Sequence, residues 1–220
     1  LVACVARGGT YMLNIGPRGD GSVSARCAKA LRAAGSWIAR YPQVIYDVQG
    51  SPWKHSMPWG DVTQRDNALF LTVFEWPVSG ELYLPNIEQN VQEARLLRGR
   101  DSTELLCERR GKHVVVQVPE KAPESLASVI KLTFSENPVV DPVLTLDPEV
   151  LTELAVEFAD SNGVEKSEKR WMEKFGEWKR IVHGHNFGPD ADLSWEVDVI
   201  VPGEYQVSLN YAGEGRLVWH

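Results

Sequence analysis

Three polar side chains stand together after one short apolar run. Asn14 lies inside Tyr11-Met12-Leu13-Asn14-Ile15, and Arg18 and Asp20 follow in the loop Gly16-Pro17-Arg18-Gly19-Asp20-Gly21. An amide, a guanidinium and a carboxylate at the end of a buried strand are groups that hold a polar ligand or move a proton. Each also has a plainer role: Asn14 shapes the strand end by a hydrogen bond, Arg18 is a solvated charge, and Asp20 in Gly-Asp-Gly is a turn former. His183-Gly184-His185 offers two imidazoles, but two residues apart they clamp a metal poorly, and no nearby Cys completes a zinc set. Asp190 and Asp192 could help hold Ca²⁺. Ser22, Ser24 and Ser51 lack a His/Asp partner in any nucleophile elbow. The Gly16–Gly21 loop is no phosphate loop, because no Lys-Ser/Thr follows it. The expectation is no metal. Eight tryptophans are many for 220 residues, and Trp171, Trp178 and Trp195 could stack on sugar rings. Trp195 falls on an apolar strand face and reads better as core, as do Trp59 and Trp76.

The elements that must position these groups change character along the chain. Leu1–Arg7 reads as the end of an element, and Gly8-Gly9 breaks it. Thr10–Ile15 reads as a strand buried on both faces. Ser24 is placed to cap a helix from about Ala25 to Arg40, with Cys27, Leu31, Ala34 and Ile38 on its apolar face, and Pro42 stops it. Strands buried on both faces belong to parallel α/β sheets. One such unit cannot build a core, and no second follows, so residues 1–46 read as the last repeat of a larger α/β domain.

From about Ser51 the pattern is all-β. Strands are expected over 59–63, 68–74, 80–85, 91–97, 105–108, 113–118 and 129–134, which suggests a small antiparallel sandwich. Asn137-Pro138 and Asp141-Pro142 form a linker. Asp147-Pro148-Glu149 starts a short helix or marks a turn. The alternating charges of 165–174 form a solvated face. Leu193, Trp195, Val197 and Val199 share one face of a strand, and 205–211 alternates again. Both ends of the chain look cut.

Charge and composition exclude some classes. With 23 basic and 30 acidic residues the net charge is −7, which argues against a non-specific nucleic-acid or anionic-membrane binder. No stretch approaches 18 consecutive apolar residues, so no transmembrane helix is expected. Cys4, Cys27 and Cys107 have no metal-like spacing and read as small core-filling thiols.

Residues 1–17 resemble the final barrel strand of the family 29 glycoside hydrolases, the α-L-fucosidases. The run Leu13-Asn14-Ile15-Gly16-Pro17 matches, while Ala3 stands where an acid is common and Thr10 where Asn is common. Gly35-Ser36-Trp37-Ile38 and Ile45-Tyr46 resemble the helix and exit that follow. Trp59-Gly60-Asp61-Val62-Thr63, 69–77, Gly80 and 82–85 resemble the family's C-terminal β-sandwich. Residues 187–212 more weakly resemble the start of a galactose-binding or carbohydrate-binding jelly roll.

The resemblance implies a mainly β chain with an N-terminal α/β remnant: the last βα unit of a (β/α)8-type barrel over 1–46, a β-sandwich over 47–136, and a linker with an incomplete galactose-binding-like domain over 137–220. It implies the C-terminal part of an exo-acting, retaining α-L-fucosidase. Such an enzyme needs no cofactor, and its catalytic carboxylates would lie upstream of residue 1. Asn14 and Arg18 remain the substrate-binding candidates. The implied partners are a fucosylated glycan and the N-terminal barrel, with no nucleic acid and no membrane, and the implied location is extracytoplasmic. Without a barrel beside it, the segment around Tyr11, Leu13 and Ile15 should expose apolar surface. The other reading is a non-catalytic carbohydrate-binding or structural accessory protein, to which residues 1–46 would be useless.

Overall fold

A computed structural model describes residues 1–141, 143–146, 151–172 and 178–211. It is mainly β, with antiparallel sheets and few helices. Helix α1 (Val2–Ala6) is one short turn, and α2 (Ala25–Arg40) is the long helix. Ser24 caps α2 as its sequence predicts: its extended backbone lets its Oγ accept from the Cys27 N–H at 3.2 Å. At the other end the Tyr41 N–H closes on the carbonyls of Trp37 and Ile38, and a 3-10 turn over Pro42–Val44 follows.

Eight strands make two sheets. β1 (Gly60–Arg65), β2 (Ala68–Val73), β4 (Val91–Arg98), β5 (Asp101–Glu104) and β8 (Ser128–Phe134) form a five-stranded sheet in the order β1-β2-β8-β4-β5. β3 (Glu81–Leu84), β6 (Cys107–Arg110) and β7 (His113–Gln117) form a three-stranded one in the order β3-β7-β6. The chain passes between the sheets after β2, β3, β5 and β7. Six of the seven expected strands are present near their expected bounds, and the one expected over 105–108 is shifted to Cys107–Arg110, because Leu105-Leu106 carries the chain from one sheet to the other. The eighth, β5, is Asp-Ser-Thr-Glu with every side chain exposed, so it carries no apolar alternation to read.

Alternation decides which side chains meet. Val62, Leu69, Leu71, Val73, Leu96, Ile130 and Leu132 of the large sheet meet Leu82, Leu84, Val114 and Val116 of the small one in a shared core. The opposite face of the large sheet presents Ala68, Phe70 and Val129, and these are covered by Val2, Trp37, Tyr41 and Val44. As a result β2 is buried along its whole length. Two buried polar groups of this layer are paired. The Trp37 indole donates to the Ala127 carbonyl at 2.8 Å, and the Thr63 hydroxyl donates to the Val44 carbonyl at 3.1 Å.

Several sequence expectations are corrected. Thr10–Ile15 is not a strand and, among the described residues, pairs with no other segment. A strand needs a neighbour to take its backbone groups, and none of the described residues supplies one. The expected α2 stripe holds in part: Leu31 and Ile38 are partly buried. Trp37 is buried, but Cys27 and Ala34 are exposed. Cys27 therefore fills no core. Cys4 and Cys107 are half-buried, and all three thiols are free.

Beyond residue 141 the described residues form three two-stranded pairs. β9 (Leu144–Leu146) pairs in parallel with β14 (Val197–Val199), and β10 (Asp160–Asn162) pairs antiparallel with β13 (Asp192–Ser194). β11 (Glu165–Met172) and β12 (Trp178–His185) make a hairpin. The expected strand 193–199 is thus split at Trp195-Glu196, because its halves pair with different partners. The alternating segment 205–211 carries no strand, for want of a pairing partner among the described residues. Residues 147–149 and the last residues of the 165–174 charge run lie outside the described residues.

Two glycines test this packing in opposite directions. A Cβ on Gly60 would stand 2.0 Å from the Thr72 carbonyl oxygen. Gly60→Ala is expected to cost about 2–4 kcal/mol. Gly35 sits inside α2 with open space where its Cβ would be, so Gly35→Ala is expected to stabilise by about 0.5–1 kcal/mol. Thermal denaturation of the two variants checks both signs.

Candidate functional site

The segment carrying Asn14, Arg18 and Asp20 is held at its base by a polar clamp. Arg7, just after α1, donates to the Ala3 carbonyl at 2.8 Å, to the Ser56 hydroxyl, and to Asp61 Oδ1 at 3.4 Å. Ser56 Oγ donates to the same Asp61 oxygen at 2.7 Å. Asp61 is in β1 and buried. The Ser51 N–H adds a bond to the Ala6 carbonyl at 2.6 Å. Sequence reading did not single out this clamp. Its signal was an acid within the β1 run Gly-Asp-Val-Thr, on the face opposite Val62.

Past the clamp the chain runs free of the sheet. Asn14 and Arg18 are exposed, and no hydrogen bond joins their side chains among the described residues. Met12 is 84% exposed, and Tyr11, Leu13 and Ile15 are exposed as well. Asp20 accepts from the Ser22 hydroxyl at 2.7 Å and the Ser22 N–H at 2.9 Å. Those bonds hold its carboxyl below the ordinary value, and they are the bonds of a turn former. The Arg18 and Ser22 backbones close the same turn. The three candidates thus share one exposed segment but converge on no enclosed pocket.

The remaining candidates are dispersed. His183 Nε2 lies 3.2 Å from Ser167 Oγ, and His185 lies 3.8 Å from Glu165. Asp192 accepts from Asn162 at 3.3 Å. Among the described residues no group of three or more His, Cys, Asp and Glu is arranged to hold a metal. No helix there is long and apolar enough to cross a membrane. Trp195 is half-buried, with its indole donating to the Ala155 carbonyl at 3.0 Å. Trp171 is exposed on the β11–β12 hairpin, and the Trp178 side chain lies outside the described residues. Trp59 is buried in the core, and Trp76 packs against it.

The densest ionic network lies elsewhere, on the outer face of the small sheet. Arg110 grips Glu81 with two bonds of 2.7 and 2.8 Å and also pairs with Glu108. Tyr83 and Gln117 donate to Glu81 at 2.6 and 2.8 Å. The Arg110 guanidinium, helped by Tyr83 and Gln117, pulls the Glu81 carboxyl down to about 2. A second network joins α2 to the loop before β8. Arg40 holds both Glu124 oxygens at 2.6 and 2.8 Å, and the Tyr41 hydroxyl donates at 2.7 Å. Burial, then Glu124, pushes Tyr41 up to about 12.

The comparisons with known proteins agree with one another. Residues 1–43 match the family model described as alpha-L-fucosidase. A plasma alpha-L-fucosidase of Pongo abelii is 29% identical over 54% of this chain and 27% of its own length. A tissue alpha-L-fucosidase of Bos taurus is 29% identical over 60% of this chain and 30% of its own. Among solved structures, alpha-L-fucosidase isoenzyme 1 of Paenibacillus thiaminolyticus superposes with a TM-score of 0.55 at 26% identity, covering 61% of this chain and 33% of that one. A GH29 alpha-L-fucosidase of Bacteroides thetaiotaomicron, trapped as a covalent intermediate with 2-fluoro-fucosyl fluoride, superposes with 0.54 at 28%, covering 60% and 30%.

The chain is similar to these glycoside hydrolases in sequence and in fold. It is related, over somewhat more than half its length, to the α-L-fucosidases of family 29. It spans about a third or less of the length of the relatives it matches.

The Glu81 network sets an acid limb of stability. The carboxyl sits at about 2 in the fold against an ordinary 4.5. Its contribution is therefore complete above pH 4.5 and is lost as pH falls from there toward 2. In Glu81→Gln the fall in melting temperature between pH 5 and pH 3 should be shallower than in the parent. An unchanged fall would remove Glu81 from the account.

Proposed function

We propose that this chain is the C-terminal part of an exo-acting, retaining α-L-fucosidase. One coincidence carries the reading. Residues 1–43, which match the family, include a run of consecutive apolar residues left uncovered, Tyr11, Met12 and Leu13, with Ile15 just beyond, and Ala34 and Cys27 are exposed on α2. Surface of that kind fits packing against further chain, and the matches cover only 27% and 33% of the relatives' own lengths. In this reading residues 1–46 end the catalytic barrel, 47–136 are a β-sandwich that supports it, and 137–220 are a linker and an incomplete galactose-binding-like domain.

Retaining hydrolysis needs two carboxyl groups about 5 Å apart, one as nucleophile and one as acid/base. Asp20 is committed to its turn, so the pair is assigned to segments outside residues 1–220. Asn14 and Arg18 would stand at the rim of the site, on the side where barrel enzymes place their chemistry, and would hold the substrate by hydrogen bonds. The substrate would be a terminal α-L-fucose on a glycan, with no cofactor. Relatives named for plasma and tissue favour a location outside the cytoplasm.

The whole protein should release fucose from an aryl α-L-fucoside with retained anomeric configuration, followed by proton NMR, and residues 1–220 alone should release none. Asn14→Ala in the whole protein should lower kcat/KM by about tenfold, the worth of one hydrogen bond at about 1.4 kcal/mol. A folded whole protein inactive on every α-L-fucoside would overturn the reading in favour of a sugar-binding or accessory protein.

A further inference from the structure

A cleft of about 550 Å³ opens between the end of α2 and the turn that joins β4 to β5. Arg40, Pro42 and Gln43 line one side, and Arg98, Gly99 and Arg100 line the other. Its volume falls within the roughly 300–1,000 Å³ typical of ligand clefts. It belongs neither to the 10–20 segment nor to the core between the sheets.

One side of the cleft is a tight turn. Arg98 and Asp101 are paired across a two-residue hairpin, with Gly99 at φ +69° in the first central position. That conformation favours glycine. A Cβ there would stand 3.1 Å from Arg40 Cγ, so the turn rests on the aliphatic stem of Arg40. The turn thereby sets Arg98 and Arg100 on either side of Gly99, and the α2 terminus sets Arg40 opposite them.

Charge decides what such a cleft accepts. Glu124 satisfies Arg40 with both oxygens, and Tyr41 donates to it too. Arg98 attracts Glu124 at longer range without forming an ion pair with it. Arg98 and Arg100 are exposed, and neither has a carboxylate bound to it among the described residues. Asp101 does not line the cleft. Two guanidiniums without bound anions, in a chain of net charge −7, are a local reversal of sign. A guanidinium fork matches the paired oxygens of sulfate and carboxylate groups.

From this we infer that the cleft is an oxyanion site that takes the sulfate ester or carboxylate of an acidic saccharide through Arg98 and Arg100. The saccharide half of this rests on the fucosidase reading, and the oxyanion half does not.

The test is calorimetric titration of the whole protein at low ionic strength with inorganic sulfate, a sulfated disaccharide and the neutral parent disaccharide. R98Q/R100Q is compared with R26Q/R32Q, which removes the same charge from exposed positions of α2. The sulfated disaccharide should bind more tightly than sulfate, and the neutral one should not bind. R98Q/R100Q should weaken the sulfated ligand by about tenfold or more, and R26Q/R32Q should leave it unchanged. Sulfate binding as tightly as the sulfated disaccharide would make the free oxyanion the ligand and overturn the saccharide half. No binding, or equal loss in both variants, would overturn the site. Fucose release from a neutral aryl fucoside should be untouched in R98Q/R100Q, so this inference and the fucosidase reading fail separately.

Discussion

The five-stranded sheet has two apolar faces, and both must be covered. Antiparallel sheets commonly leave one face to water, but β2 is buried from end to end. The small sheet covers one face. The other is closed by α1, the last turns of α2 and the 3-10 turn, through Val2, Trp37, Tyr41 and Val44. A fully buried large side chain contributes about 1.5–3 kcal/mol, and Tyr41, Phe70, Val44 and Val129 are all in this layer. The clamp of Arg7, Ser56 and Asp61 and the bond from Ser51 to Ala6 join the same two parts. The N-terminal helices are therefore half of the sheet's packing and no mere appendage to it.

That dependence explains why one short stretch holds both the best-anchored and the least-covered residues. α2 spends its C-terminal turns on the sheet and turns Cys27 and Ala34 to solvent. The chain between α1 and α2 leaves the clamp with no strand to pair with. Its tripled apolar run then has no burial to offset the ordering of its backbone. The conflict between a strand-like sequence and an unpaired segment is of the kind expected where a partner surface is missing from the contacts.

The legible parts of the sequence were those governed by local chemistry. Ser24 as a cap, Pro42 as a stop and the alternation of 80–85 needed nothing from distant residues, and the structure follows them. β5 escaped because an exposed hairpin arm of polar residues has no pattern. The strand 193–199 failed because register depends on partners, and its two halves found different ones. Of the α2 stripe, Leu31 and Ile38 are partly covered and Cys27 and Ala34 are not, because spacing finds an apolar face but not how far along the helix a neighbour covers it. Of the site, Asp20 was legible as a turn residue from Gly-Asp-Gly. The Glu81–Arg110 network was not, since Glu81 and Arg110 are 29 positions apart and meet only through the order β3-β7-β6.

The electrostatics bear on where hydrolysis could occur. A glycosidase acid/base must hold a carboxyl protonated near neutrality, which needs a raised value. The carboxyls with the clearest shifts here move the other way. Asp20 is lowered by Ser22, Glu81 by Arg110, and Glu168 by Arg180 and Arg170. Partial burial pushes Glu124 up, yet Tyr41 and Arg40 carry it down. These four are acceptors locked into turns and ion pairs, and moving a proton would break the bonds that hold the surface together. A catalytic pair would need a carboxyl with apolar walls and no cation beside it. The uncovered face of residues 10–15 is apolar and carries no carboxyl of its own, and the nearest in sequence, Asp20, is turned to its own loop.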